Sequence, residues 1–151
     1  MAWPARDSGR TPVIILDTNV LSAMMRAADD TTVEHWFDAQ ATESVWTTTV
    51  TVFEIRFGLA LLAAGQRRDR LDRAFLRAIN DVLGGRVLSF DRGAAEVAAM
   101  LAARQRQIGH AVEIRDVQIA GIAAARRATL ATRNTRHFEH LGIALVDPWQ
   151  A

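Results

Sequence analysis

Short apolar runs alternate with longer amphipathic stretches along this chain of 151 residues. The run Val-Ile-Ile-Leu at 13–16 is typical of a strand that is buried on both faces of a parallel sheet. The intervening stretches repeat apolar residues every three or four positions, as helices that cover a sheet do. The pattern predicts strands at 13–16, 44–48, 86–90, 129–132 and 143–146, and helices at 19–26, 31–40, 49–64, 67–83, 91–108, 115–127 and 136–141.

This order of elements predicts an α/β fold. Strands that are joined through helices make right-handed crossovers, which give a parallel sheet with helices on both faces. We therefore expect a three-layer α/β/α sandwich around a central parallel sheet of about five strands. The helix predicted at 49–64 is apolar on almost every side, so we expect it to be buried.

Composition narrows the class of protein. The length suits one domain, which we place at 13–151, and we interpret 1–12 as a flexible N-terminal extension. That extension lacks the apolar core of a secretory signal, and no apolar run reaches membrane-span length, so we expect a cytoplasmic protein without membrane contact. Without cysteine, any metal must be held by oxygen or imidazole. All 18 basic residues are arginine, but the net charge of +1 does not itself predict nucleic-acid binding.

Four polar side chains stand at positions that suggest chemistry. Asp17 directly follows the first predicted strand, at the edge where open α/β sheets bind ligands. Glu54 lies inside the apolar third helix, where an unpaired carboxylate is unfavourable. Asp116 begins the sixth helix, and Asn134 follows the fourth strand as Asp17 follows the first.

Each of these residues has a simpler explanation when it is taken alone. A helix cap would explain Asp17 and Asn134, the helix dipole would explain Asp116, and a buried partner would explain Glu54. Because the carboxyl ends of parallel strands meet at one edge, however, the four together predict an oxygen-rich pocket suited to Mg²⁺ or Mn²⁺. Such ions activate water against phosphate esters, so the pattern favours phosphodiester hydrolysis. The histidines at 137 and 140 indicate zinc only weakly, because no third ligand accompanies them.

Segments of this chain resemble the PIN-domain ribonucleases, particularly the VapC toxins of bacterial toxin–antitoxin pairs and the similar FitB proteins. The resemblance covers residues 13 to 149 in the family order. It implies a PIN-like version of the predicted sandwich. The matching segments are ILDTNVLS at 15–22, TVTVFEIRFG at 49–58, RDVQIA at 115–120, LATRNTRHF at 130–138 and DPW at 147–149.

The resemblance also implies roles for individual residues. The catalytic acids, which also hold Mg²⁺, would be Asp17, Glu54 and Asp116, with the two aspartates binding the ion most directly. The supporting pocket residues would be Thr18, Asn19, Thr132 and Asn134. Arg115, Arg133 and Arg136 are near enough in the sequence to contact RNA phosphate, and Arg115 could equally hold a carboxylate of the antitoxin. Because Asn134 stands where many PIN proteins have a fourth acid, we expect one firmly held Mg²⁺ rather than two.

Three hypotheses for function follow. The favoured one, implied by the resemblance, is a Mg²⁺-dependent endoribonuclease toxin that cuts tRNA or ribosomal RNA and thereby inhibits translation and growth. Such a protein would form a homodimer and would be neutralised by a VapB-type antitoxin. The second hypothesis is a catalytically weak PIN-fold binding module that works with its antitoxin in operator-DNA autoregulation. The third is a metal-assisted hydrolase of small phosphate esters.

Overall fold

The computed structural model describes residues 11–26 and 31–151. Its described residues form one sheet of five strands in the order β3-β2-β1-β4-β5, and every neighbouring pair is parallel. The first strand is therefore central, which confirms the predicted parallel sheet. The strands are β1 (Ile14–Leu16), β2 (Val45–Thr48), β3 (Val87–Leu88), β4 (Thr129–Ala131) and β5 (Ala144–Val146).

Seven α-helices in the described part of the chain connect and cover these strands, in the order that the sequence predicted. The fourth helix continues into a π-helical turn at Ala78–Val82, and short 3₁₀ turns occupy Thr42–Ser44 and Glu139–Leu141. Element boundaries differ from the predicted ones by a few residues at most, where loops trim the strands. The helices are α1 (Thr18–Met25), α2 (Thr32–Asp38), α3 (Thr49–Leu61), α4 (Gln66–Arg77), α5 (Arg92–Gln107), α6 (Ile114–Ala125) and α7 (Thr135–Phe138).

The side chains of β1 alternate between two hydrophobic cores, one on each face of the sheet. Ile15 belongs to the core that packs under α5 and α6, which includes Ile119 and Leu130. Its neighbour Leu16 belongs to the opposite core, which α1 to α4 cover and which includes Phe75. Helices therefore lie on both faces, which confirms the expected three-layer α/β/α sandwich.

The third helix differs from its prediction. Ile55 and Leu59 face the core, but Phe53, Phe57 and Leu61 are 59%, 52% and 71% exposed. The rings of Phe53 and Phe57 stack with their centroids 5.9 Å apart. The expectation that α3 is buried all round is therefore wrong, because three of its apolar residues form a stripe at i, i+4 and i+8 that faces solvent. Patches of this kind commonly mark interaction surfaces.

Two expectations concern the ends and the environment of the chain. Most of the extension predicted at 1–12 lies outside the described residues, which begin at residue 11. Among the described residues, no helix has both the length and the apolar composition needed to cross a bilayer.

Candidate active site

The candidate site is centred on Asp17, at the carboxyl end of the central strand. Its backbone amide donates to the carbonyl of Ala131 over 2.9 Å, so the β1–β4 pairing continues up to this residue. Asp17 then takes the N-cap position of α1, and its carboxylate accepts a 2.8 Å hydrogen bond from the amide of Thr18. The side chain is only 6% exposed. Asp17 is therefore both a helix cap, as the simpler interpretation held, and a buried carboxyl group at the carboxyl edge of the sheet.

One residue after β4 and one residue of α1 hold the other carboxylate oxygen of Asp17. The buried hydroxyl of Thr132 donates to Oδ2 over 2.8 Å, and Nδ2 of Asn19 lies 3.3 Å from the same oxygen. Thr132 Oγ1 also accepts from the amide of Asn134, and the amide of Arg133 donates to Oδ1 of Asn19. The start of α1 and the segment after β4 are thus both bonded to one carboxylate, which fixes the orientation of that carboxylate.

Asn134 and Thr18 occupy the pocket in different ways. Asn134 stands at the N-cap position of α7, but its side chain makes no capping hydrogen bond within the described residues. The expectation that it caps this helix therefore holds for its position and not for its side chain. Thr18 lies between two elements, because its hydroxyl donates to that of Thr51 on α3 over 3.3 Å and its side chain lowers the pKa of Glu54 on the same helix. Thr18 therefore links the start of α1 to the helix that carries Glu54.

Asp116 approaches the site from the first turn of α6. Its Oδ2 lies 3.4 Å from Nδ1 of His137, and its side chain is 21% exposed. Glu113 caps the helix by accepting from the amide of Asp116, and it also pairs with Nε of Arg115 over 3.2 Å. Asp116 thus has the favourable position at the helix dipole that the sequence suggested, and a histidine contact that it did not.

Electrostatics shows that the three carboxylates share one environment. Burial raises the pKa of Asp17, against the lowering effect of its hydrogen bonds from Thr132 and Thr18. Burial also raises the pKa values of Glu54 and Asp116, and the negative charge of Asp17 raises both further. The charge of Asp17 therefore acts on both Glu54 and Asp116, although the three residues are distant in sequence.

Comparison with known proteins identifies the family at this point. The sequence profile of the PIN domain matches residues 14–144. The chain belongs to the PIN-domain family.

Several relatives match this PIN domain over most of their length. It is 42% identical over 139 residues to plasmid stability protein StbB of Pseudomonas syringae pv. tomato, covering 92% of this chain and 100% of that protein. It is 38% identical to VapC ribonuclease Y4jK of Sinorhizobium fredii and 33% identical to toxin FitB of Neisseria gonorrhoeae, covering 91% of this chain and 99% of each protein. The crystal structure of FitAcB from Neisseria gonorrhoeae superposes with a TM-score of 0.83 and 32% identity, covering 92% and 100% of the two chains.

The arginines proposed to contact RNA lie around the PIN-domain site in different settings. Arg115 is at its rim, where its charge lowers the pKa of Glu54. Arg136 lines a cavity of about 310 Å³ beside Asp116. The guanidinium of Arg133 lies 4.6 Å from the ring centroid of Trp149, so it stacks on the C-terminal segment.

The donor chemistry of the site suits a divalent cation. The negative charge of Asp17 disfavours the ionised forms of Glu54 and Asp116, and a bound cation would offset this repulsion. Oxygen donors are the ligands that Mg²⁺ prefers. Within the described residues, no group of three or more acidic or histidine side chains is placed so that it could together hold a metal ion. This arrangement fits an ion that one or two carboxylates hold together with several water molecules, as is usual for Mg²⁺.

Sequence reasoning missed two residues of this PIN-domain site. Glu113 does not stand out in the sequence, yet it caps α6 and raises the pKa of Asp116. His137 was considered only as a weak zinc ligand, and it instead contacts Asp116. Glutamate is not among the residues preferred at the N-cap, so no local pattern indicated this role of Glu113. No local signal pointed to His137, because its contact depends on how α7 packs against α6.

Proposed function

We propose that this PIN domain is the ribonuclease toxin of a VapBC-type toxin–antitoxin pair, and that it hydrolyses phosphodiester bonds of tRNA or ribosomal RNA with Mg²⁺. The observation that carries the proposal is the buried carboxylate of Asp17 at the carboxyl end of the central strand, which Thr132 and the amide of Thr18 hold in place. Its charge also raises the pKa values of Glu54 and Asp116. The resemblance to VapC ribonucleases supports it. Cleavage of such RNA would stop translation and growth.

The residues have distinct roles in this mechanism. Asp17 and Asp116 would hold Mg²⁺, which when bound supplies an activated water and stabilises negative charge on the phosphate. Thr132 and the Thr18 amide keep the Asp17 carboxylate in one orientation. Glu54 orients the attacking water and takes its proton, and its raised pKa makes the carboxylate a stronger base than an ordinary glutamate.

Partners follow from the same proposal. An antitoxin of the VapB type would inhibit the toxin by covering its acidic pocket. We also propose a homodimer, and the exposed apolar stripe on α3 formed by Phe53, Phe57 and Leu61 is the surface that we assign to it. Burial of these side chains against a second copy would remove a large apolar area from water.

A cleavage assay tests the proposal. The chain, purified free of antitoxin, is incubated with total RNA in Mg²⁺ or in EDTA, beside D17A, D116A and the control D81A. Asp81 is exposed and lies outside the site. We expect cleavage by the wild type and by D81A only with Mg²⁺, and a loss of about 100-fold or more in D17A and D116A.

Two outcomes would contradict the proposal in different ways. If RNA stays intact in every lane, the chain is not a ribonuclease, and a binding module becomes the better interpretation. If cleavage survives both substitutions, the activity does not come from this site.

A further inference from the structure

A cleft of about 430 Å³ leads away from the candidate active site between α1, α3 and α4. Its near end is lined by Thr18 and by the proposed catalytic residue Glu54. Arg26 lines it beyond the end of α1. Since a helix rises 1.5 Å per residue, the distance from Thr18 to Arg26 along α1 is about 12 Å. The cleft is therefore long enough to hold a segment of chain that continues from the reacting phosphate.

The far wall of the cleft is basic. Arg67 and Arg70, on the first turns of α4, line it together with Arg26. None of these three arginines forms an ion pair with an acidic side chain in the described part of the chain, whereas Arg56 on the neighbouring helix pairs with Asp72. The positive charge in the cleft is thus available to a ligand.

The floor of the cleft is open and has little charge. Ile55, Leu59 and Leu71 contribute apolar surface. At Gly58, which also lines the cleft, an added Cβ would meet no atom within 4 Å. Glycine therefore leaves free space at this point, and a larger side chain there would occupy the cleft without distorting the helix backbone.

We infer that this cleft binds the RNA strand next to the scissile phosphate, and that Arg67 and Arg70 contact its backbone phosphates. The inference rests on the proposed function. The two arginines are one helical turn apart, about 5–6 Å between Cβ atoms, so both can reach one strand. The guanidinium fork matches phosphate oxygens. These cations also offset the repulsion that RNA meets at the three carboxylates.

The test compares two charge reversals on the same helix. R67E/R70E changes the cleft, and R73E/R77E changes two exposed arginines of α4 that do not line it. Binding of a fluorescently labelled single-stranded RNA is measured by anisotropy in EDTA, over a range of salt concentrations. EDTA prevents the proposed cleavage, so the assay reports binding alone.

The cleft variant should bind RNA about 10-fold or more weakly than the wild type. The magnitude of its salt slope, which is the slope of the logarithm of the binding constant against the logarithm of the salt concentration, should fall by about 1.4, or about 0.7 for each of two phosphate contacts. The control should change affinity by less than about 3-fold, because both variants have the same net charge. With Mg²⁺, the cleft variant should raise KM more than it lowers kcat. G58L should also weaken binding, and it should leave the salt slope unchanged because it adds no charge.

The outcomes separate this inference from the proposed function. If R67E/R70E binds RNA as R73E/R77E does, the cleft does not bind RNA, whatever the cleavage assay of the wild type shows. If R67E/R70E instead loses only its inhibition by the antitoxin, the cleft serves a protein partner and the inference is wrong. Failure of the wild type to cleave RNA would overturn the proposed function and would leave the binding comparison to be judged by itself.

Discussion

The packing of α5 against α6 leads to a prediction at Gly121. Gly121 lies on α6, and a Cβ placed there would be 2.6 Å from the carbonyl oxygen of Ala94 and 2.6 Å from Cβ of Ala98. Ordinary contacts are 3.4–4 Å, so G121A must push α5 and α6 apart by about 1 Å. Overpacking of this kind costs about 1–3 kcal/mol, and the better helix propensity of alanine returns about 1 kcal/mol at most.

Because backbone atoms cannot rotate away, the overpacking cost should lie near about 3 kcal/mol, and alanine's helix propensity returns about 1 kcal/mol. We therefore expect G121A to lower the free energy of unfolding by about 2 kcal/mol. For a chain of this length that corresponds to a fall in Tm of about 4–8 °C. Asp116 is on the same helix, so its displacement should also slow RNA cleavage, by up to about 100-fold for a 1 Å shift. Thermal and urea-induced unfolding, followed by circular dichroism, measure the stability change.

Gly58 provides the matched control, because it is a helical glycine with open space where the Cβ would go. G58A should raise the free energy of unfolding by about 0.5–1 kcal/mol, since alanine reduces the conformational freedom of the unfolded chain. If G121A is as stable as G58A, then α5 and α6 do not pack at the distance described, and the placement of Asp116 against Asp17 loses its support.

Three further predictions concern the site and the surface. T132V should lose the hydrogen bond to Asp17, which lowers the free energy of unfolding by about 1–3 kcal/mol and reduces RNA cleavage. T132S should retain the wild-type stability and cleavage. Equal activity of the two variants would show that this hydroxyl does not contribute to cleavage. Burial raises the pKa of Asp17, so the folded state favours its protonated form. In EDTA, the free energy of unfolding of the wild type should therefore fall relative to that of D17N as the pH rises from about 4 through the raised pKa. A difference in Tm between the two proteins that is independent of pH would contradict this. Finally, F57S/L61S should shift the sedimenting species from dimer to monomer, and a wild type that sediments as a monomer would refute the assignment of the stripe.

The fold was predictable because its strongest signals are local. Each apolar run became a strand, and the helical periods fixed the order of the layers. The prediction for α3 was wrong because periodicity cannot show which apolar residues face the core when every face is apolar. In the folded protein, Ile55 and Leu59 pack into the core, and this orientation of α3 places Phe53 and Phe57 in solvent.

The acidic residues of the candidate site were predictable from the sequence, but the residues that hydrogen-bond to them were not. Asp17 and Glu54 stood out because a carboxylate next to buried apolar sequence needs a reason. Thr132 was noted only through the resemblance, although it is the shortest side-chain donor to Asp17. His137 could not be predicted, since its contact with Asp116 depends on the relative placement of two helices that no local pattern specifies.

Charge balance explains why the amide at Asn134 matters for the number of ions. Asp17, Glu54 and Asp116 contribute three negative charges when ionised, while the pair formed by Glu113 and Arg115 contributes none. One divalent ion would leave a single negative charge, and a second would leave a net positive charge before RNA arrives. An aspartate in place of Asn134 would make two ions electrically neutral. We therefore propose that the neutral amide favours one firmly held Mg²⁺, and that a second ion would be stabilised only when an RNA phosphate adds its own negative charge.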